Sequence, residues 1–276
     1  MINLSDICYL KDLRSHCNDL AKFFYNLDTR SGKVWSEAAE WLEIASGIKE
    51  IHFDLSSFDT TYGWCGYADD HTDKRDLLLK RYVTEVGIFN FIWGALEAII
   101  DIIEPPAVPH VRGKINKTCN FINLHFHNKL PYYLDLLHLL HECFSQTFSN
   151  LKQVFSLKPY INISGVALFA IYKVRNRLAH GVLQIPDLID IDGIIEENKQ
   201  IKLIQLCSRL ILLTIQMLII SFYKYNNLTF KFDPSSEELE YGEPNATDNI
   251  ITLDFYLRII HLGQEDADEN QLVLSI

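Results

Sequence analysis

The sequence predicts a mainly α-helical protein. Apolar residues recur at helical spacing in several long segments, which are separated by Pro- and Gly-containing breaks. Short β-type alternation is confined to the region after residue 226. With 48% hydrophobic residues over 276 positions, the chain can bury a sizeable core in one large or two modest domains.

Residues 7–27 read as a first amphipathic helix, with Leu10, Leu13, Cys17, Leu20, Phe23 and Phe24 on one side. After a break at 29–32, a second helix is expected over 35–45, where Trp35, Ala38, Ala39 and Leu42 are in register. Residues 51–73 are rich in Asp, Ser, Thr and Gly and read as a long loop, anchored by aromatic burial around Trp64 and Tyr67. Residues 1–70 thus form an N-terminal helical and loop region in which no specific chemistry stands out.

Residues 71–226 carry the periodicity of a four-helix bundle. Its first helix spans 73–103, with Leu78, Tyr82, Phe89, Trp93, Leu96 and Ile100 along it, and stops at Pro105-Pro106. Glu85 falls on that apolar stripe, where a carboxylate needs a partner. Arg81, one turn back, is one choice, and an arginine or histidine from residues 175–180 is the other.

Residues 113–127 and 131–148 read as two helical pieces that together make the second bundle helix. His125, His127, His138, His141 and Cys143 lie here, but their spacing matches no zinc signature. His138, His141 and Glu142 fall opposite Leu136, Leu137, Leu140 and Phe144, so solvated or interface histidines are expected, with no metal and no cofactor.

The third bundle helix holds the polar centre of the chain, Ile171-Tyr172-Lys173-Val174-Arg175-Asn176-Arg177-Leu178-Ala179-His180-Gly181. Asn162 or Ser164 suits its N-cap. Ala167, Ala170, Ile171, Val174 and Leu178 share one face, which belongs to the core. Lys173, Asn176 and His180 fall opposite, and Arg175 and Arg177 flank the stripe. Gly181 suits a left-handed stop, and His180 then sits in the last turn, where the dipole favours its charged form. Arg175 and His180, five positions apart, point about 140° from each other on an ideal helix.

A loop over 182–198 leads to the last helix, 199–225. Its most apolar run, 210–222, is bounded by Arg209 and Lys224 and is short for a bilayer, so a buried core helix is expected and no membrane association. Residues 227–276 form an acidic C-terminal extension. Within it, 228–232 and 250–255 suggest a small β-hairpin, 234–249 a turn-rich connector, and 263–270 a mobile acidic stretch.

The formal charge is −11, from 25 basic and 36 acidic residues. Broad nucleic-acid binders are usually basic, so any contact with RNA should be confined to a local patch. The six cysteines are scattered without a C-x-x-C pair, which fits reduced thiols in a cytoplasmic protein. No P-loop, dinucleotide fingerprint or serine-centred nucleophile elbow is present.

Arg175-Asn176-x-x-x-His180-Gly181 resembles the Arg-Asn-x-x-x-His signature of the HEPN superfamily, and the flanking Ile171-Tyr172 and Gly181 are similar to its ApeA-like subgroup. The resemblance covers about residues 70 to 226. It implies a metal-independent endoribonuclease of anti-phage defence or toxin type, acting on tRNA or other cellular RNA. It also implies a homodimer whose two motifs line one cleft, under an inhibitory or activating protein partner. Arg175, Asn176 and His180 would be catalytic, with Glu85, Lys173 and Arg177 in support.

Two other classes compete with this reading. One is a non-catalytic helical dimerisation or partner-binding module. The other is a small-molecule-responsive regulator, which would require a pocket built with the first 70 residues.

Overall fold

A computed structural model describes residues 9–31, 34–58, 63, 65–147, 155, 157–188, 198–228, 231–232 and 251–263. The fold is mainly helical: α1 Leu13–Ser31, α2 Ser36–Gly47, α3 Gly66–Ile103, α4 Lys114–His125, α5 Tyr133–Thr147, α6 Ile163–Ala179, α7 Lys199–Tyr225 and α8 Leu253–Ile259, with a 3₁₀ turn at Ser56–Phe58.

Local chemistry sets most boundaries. Asp12 caps α1, its carboxylate accepting the Arg14 and Ser15 N–H groups at 3.0 Å each. This moves the start of α1 six residues past the position the apolar pattern suggests. α3 ends before Pro105-Pro106 with Glu104 in a left-handed conformation (φ 50°). It begins at Gly66, so residues 66–72 are helical rather than loop. Asp69 in its first turn accepts the Gly63 N–H at 2.7 Å, which holds the entry. Tyr67 is exposed and anchors nothing; Trp64 lies outside the described residues.

The bundle is organised around α7. The helix packs on α1, α3, α4, α5, α6 and α8, and 22 of its 27 residues are buried. α3 and α7 have the length and composition of membrane spans, but 94% of the apolar window of α7 is covered by the rest of the protein, against 56% for α3. Packing therefore takes up the apolar surface of α7, as expected of a core helix.

One hydrophobic core runs without interruption from Cys17 on α1 to Ile260 beyond α8. The N-terminal helices and the C-terminal segment thus share the core of the bundle. The two ends of the described chain also meet: the Lys11 N–H bonds the His261 carbonyl at 3.0 Å, and the Gly263 N–H bonds the Tyr9 carbonyl at 2.8 Å.

Strands β1 (Lys231–Phe232) and β2 (Ile251–Thr252) pair antiparallel, Lys231 opposite Thr252. Residues 253–255, expected to continue β2, instead open α8. The Thr252 hydroxyl accepts the Phe255 N–H at 3.2 Å, and this cap turns the chain into a helix. The expected connector at 234–249 and most of the acidic stretch at 263–270 lie outside the described residues.

Candidate functional site

α6 is pinned at its start and open at its end. The Asn162 side chain caps it, accepting the Ser164 and Gly165 N–H groups at 2.9 and 3.2 Å. The buried Tyr133 hydroxyl lies 3.0 and 2.9 Å from the Ile163 and Ser164 carbonyls. Gly165 crosses α4 closely: a Cβ there would come within 3.2 Å of the Cys119 side chain and carbonyl. The expected core face is in place, with Ala167, Ala170, Ile171 and Val174 buried.

The C-terminal end of α6 is a complete Schellman turn. Gly181 is left-handed (φ 65°). Its N–H bonds the Leu178 carbonyl at 3.1 Å, and the Val182 N–H bonds the Arg177 carbonyl at 2.8 Å. Leu183 is buried and ties the following chain to the body. His180 occupies the cap position, with its backbone held and its side chain exposed.

The motif residues face different ways. Arg175 lays its guanidinium over the indole of Trp93 on α3, 5.8 Å from the ring centroid, and Trp93 stacks on Tyr172 at 6.4 Å. Lys173 lies 5.2 Å from the Phe169 ring, and Lys158 lies 4.3 Å from the same ring. Asn176 and Arg177 are half-buried. Among the described residues, no hydrogen bond joins the side chains of Arg175, Asn176 and His180. A single chain therefore presents the three without assembling them.

Glu85 does not belong to this group. It is buried on α3 and bonded to Arg81 and to the Gln205 amide of α7, at 2.9 Å each. The alternative partner from the motif is not used, because Glu85 sits eight residues before Trp93, about 12 Å along the helix. The histidines of α4 and α5 also stay apart. His125 packs between Phe121 and Tyr225 at 4.8 Å from each ring, and His138 faces Glu142 at 3.3 Å. Among the described residues, no three His, Cys, Asp or Glu side chains gather as metal ligands would.

A second polar constellation, unseen in the sequence, crosses the interior. Arg209 and Gln216 on α7, His16 on α1 and His261 are all buried. Arg209 Nη1 lies 3.4 Å from His16 Nδ1. Arginine only donates, so Nδ1 accepts and the proton of His16 sits on Nε2. That N–H meets Gln216 Oε1 at 3.1 Å. Gln216 Nε2 in turn donates to the Leu257 carbonyl and lies 3.1 Å from His261 Nδ1. His261 Nε2 then donates to the Pro131 carbonyl at 3.2 Å. The direction of every bond follows from the first, and both imidazoles must be neutral. Burial, with Arg209 nearby, holds His16 well below its usual range. His261 is pushed down to about 3, again chiefly by burial. The signal available in the sequence was the spacing of Arg209 and Gln216, seven apart and so on one face of an otherwise apolar helix.

In comparisons with known proteins, no family model, curated protein or solved structure matches this chain.

Proposed function

We propose that the chain is a metal-independent endoribonuclease of HEPN type, with the end of α6 as its active surface. The observation that supports this most is the state of the cations there. Lys158, Lys173 and Arg175 lie over the rings of Phe169, Tyr172 and Trp93 and have no carboxylate partner among the described residues. In a chain of net charge −11, a group of unneutralised cations on the surface of α6 is the local patch a phosphate backbone needs.

The chemistry uses the substrate's own nucleophile. A base takes the proton of the RNA 2′-hydroxyl, whose oxygen attacks the adjacent phosphorus. The bond to the 5′-oxygen breaks, and an acid returns a proton to that oxygen. The products are a 2′,3′-cyclic phosphate and a 5′-hydroxyl. His180 suits base or acid because an imidazole can accept a proton on one nitrogen and donate one from the other. Arg175 can hold the pentavalent phosphate through two parallel hydrogen bonds. Asn176 orients the phosphate or the imidazole, with Lys173 and Arg177 lining the approach. Cytoplasmic defence or toxin action on tRNA or other RNA is the corresponding role. Incubated with total RNA in EDTA, the purified chain should generate new cyclic-phosphate ends; a preparation that cuts only with added divalent metal would overturn metal independence.

One histidine serves acid and base poorly, so the active form is a homodimer with the motifs facing. Val182 and Ile185, 63% and 64% exposed directly after His180, supply apolar surface for that contact. Sedimentation at micromolar concentration should give a dimer, and a fully active monomer would disprove it. The same exposed residues suit the second reading, a non-catalytic dimerisation module, which predicts a dimer without cleavage.

A further inference from the structure

A cavity of about 260 Å³ lies where the start of α1 and the end of α2 meet α3 and α7. The ribonuclease reading makes no use of it. Its walls carry four cationic side chains, Arg14, Lys49, Arg81 and Arg209, against two carboxylates, Asp12 and Glu85, a net charge of +2.

Both carboxylates are already engaged. Glu85 accepts from Arg81 and Gln205. Asp12 is the N-cap of α1, bonded to the Arg14 and Ser15 N–H groups. Among the described residues this leaves three cations without a carboxylate partner. Lys49 stands exposed at the rim. Arg14 gives its Nε–H to the Ser46 carbonyl at 2.7 Å. Arg209, only 7% exposed, donates to a neutral histidine and is acted on by Asp12 through space alone. A guanidinium buried without an anion is costly, since desolvation is not offset by an opposite charge. Here the guanidinium borders an open cavity, so the missing charge can be supplied from outside.

We propose that this cavity binds a small phosphate-bearing ligand, held by Arg209 at its floor and by Arg14 and Lys49 at its mouth. A phosphate monoester carries about −1.5 to −2 charges at neutral pH, which matches the surplus, whereas a monocarboxylate leaves one cation unpaired. The volume lies just below the range of about 300–1,000 Å³ typical of drug-sized ligands. It therefore suits pyrophosphate or a small phosphate ester rather than a dinucleotide. Arg14 and Lys49 belong to the N-terminal helices, and Arg209 to the central helix of the bundle. The bound ligand would clamp the one to the other.

Calorimetric titration of the full chain with inorganic pyrophosphate, AMP and acetate tests this without RNA, so its outcome is independent of nuclease activity. Saturable binding of pyrophosphate or AMP, and none of acetate, is expected. Arg209→Met, similar in length but uncharged, should abolish it. Lys49→Glu, at the exposed rim and so harmless to folding, should weaken it by about tenfold or more. Arg175→Ala, at the other site, should leave it unchanged. Absence of saturable binding by either phosphate compound overturns the proposal, as does full binding by Lys49→Glu. So does loss of binding in Arg175→Ala with Lys49→Glu intact, which would place the anion on α6.

Discussion

Replacing His180 by alanine is expected to lower RNA cleavage by roughly 10²–10⁴-fold, the usual contribution of a group that transfers a proton in the transition state. The fold should hardly notice. The Schellman turn that positions residue 180 is made by the backbone of Arg177, Leu178, Gly181 and Val182, and the imidazole is exposed. Arg175→Ala should cost roughly 10²–10³-fold, by analogy with the loss of one oxyanion donor. Arg175→Lys should rescue little, since a point charge lacks the planar fork. Arg175 does pack over Trp93, and losing that contact should remove about 0.5–1 kcal/mol of stability, a small shift in melting temperature. The two mutants therefore separate chemistry from structure: cleavage should collapse while melting stays nearly constant. A non-catalytic module predicts the opposite, with no cleavage by the wild type and weakened dimerisation in the mutants. Background-level cleavage by wild type and His180→Ala alike would end the nuclease reading for the isolated chain.

Mild acid should destabilise this protein, and the cause is the buried histidine chain. Folding lowers the affinity of His16 and His261 for protons, chiefly because burial strips the charged ring of water, and also because a second proton on either ring would set N–H against N–H inside the core. In the unfolded chain both titrate near 6.5. Below that value the unfolded state binds more protons than the folded one, so stability falls as pH falls. The loss begins near 6.5 and, for His261, continues down to about 3. Each buried histidine contributes about 1.4 kcal/mol per pH unit within its window. From pH 6.5 to 5 most carboxylates remain ionised in both states, so the histidines dominate there. Urea unfolding measured at pH 7.5 and 5 should show a loss of several kcal/mol, large against the roughly 5–15 kcal/mol that domains possess. Equal stability at the two values would show that these rings take up no protons on unfolding.

Much of the fold was readable because its signals are local. The limits of α7 match the helix expected over 199–225. The cap at Asn162 and the left-handed stop at Gly181 follow from side-chain reach and the absence of a Cβ, both properties of a few neighbouring residues. The buried face of α6 follows from spacing alone. Where a local cap competed with an alternating pattern, at Thr252, the cap won because two strand residues offer few bonds to oppose it. The N-terminal cap at Asp12 is equally local, but apolar residues that precede it extend the helical pattern in the sequence.

By itself, then, the sequence determined helices α1 to α7, the buried face of α6 and its polar end. Tertiary structure alone decided which polar groups meet. Glu85 took Arg81 and Gln205, the latter 120 positions away, rather than the motif. His16 and Gln216 stand 200 residues apart in sequence and 3.1 Å apart in space. The cavity exists because α1 and α2 close against α3 and α7. Periodicity shows that a face will be buried, but not against what. A buried polar group gains its stability from the one partner that docking brings within about 3 Å, and that choice depends on every helix of the bundle at once.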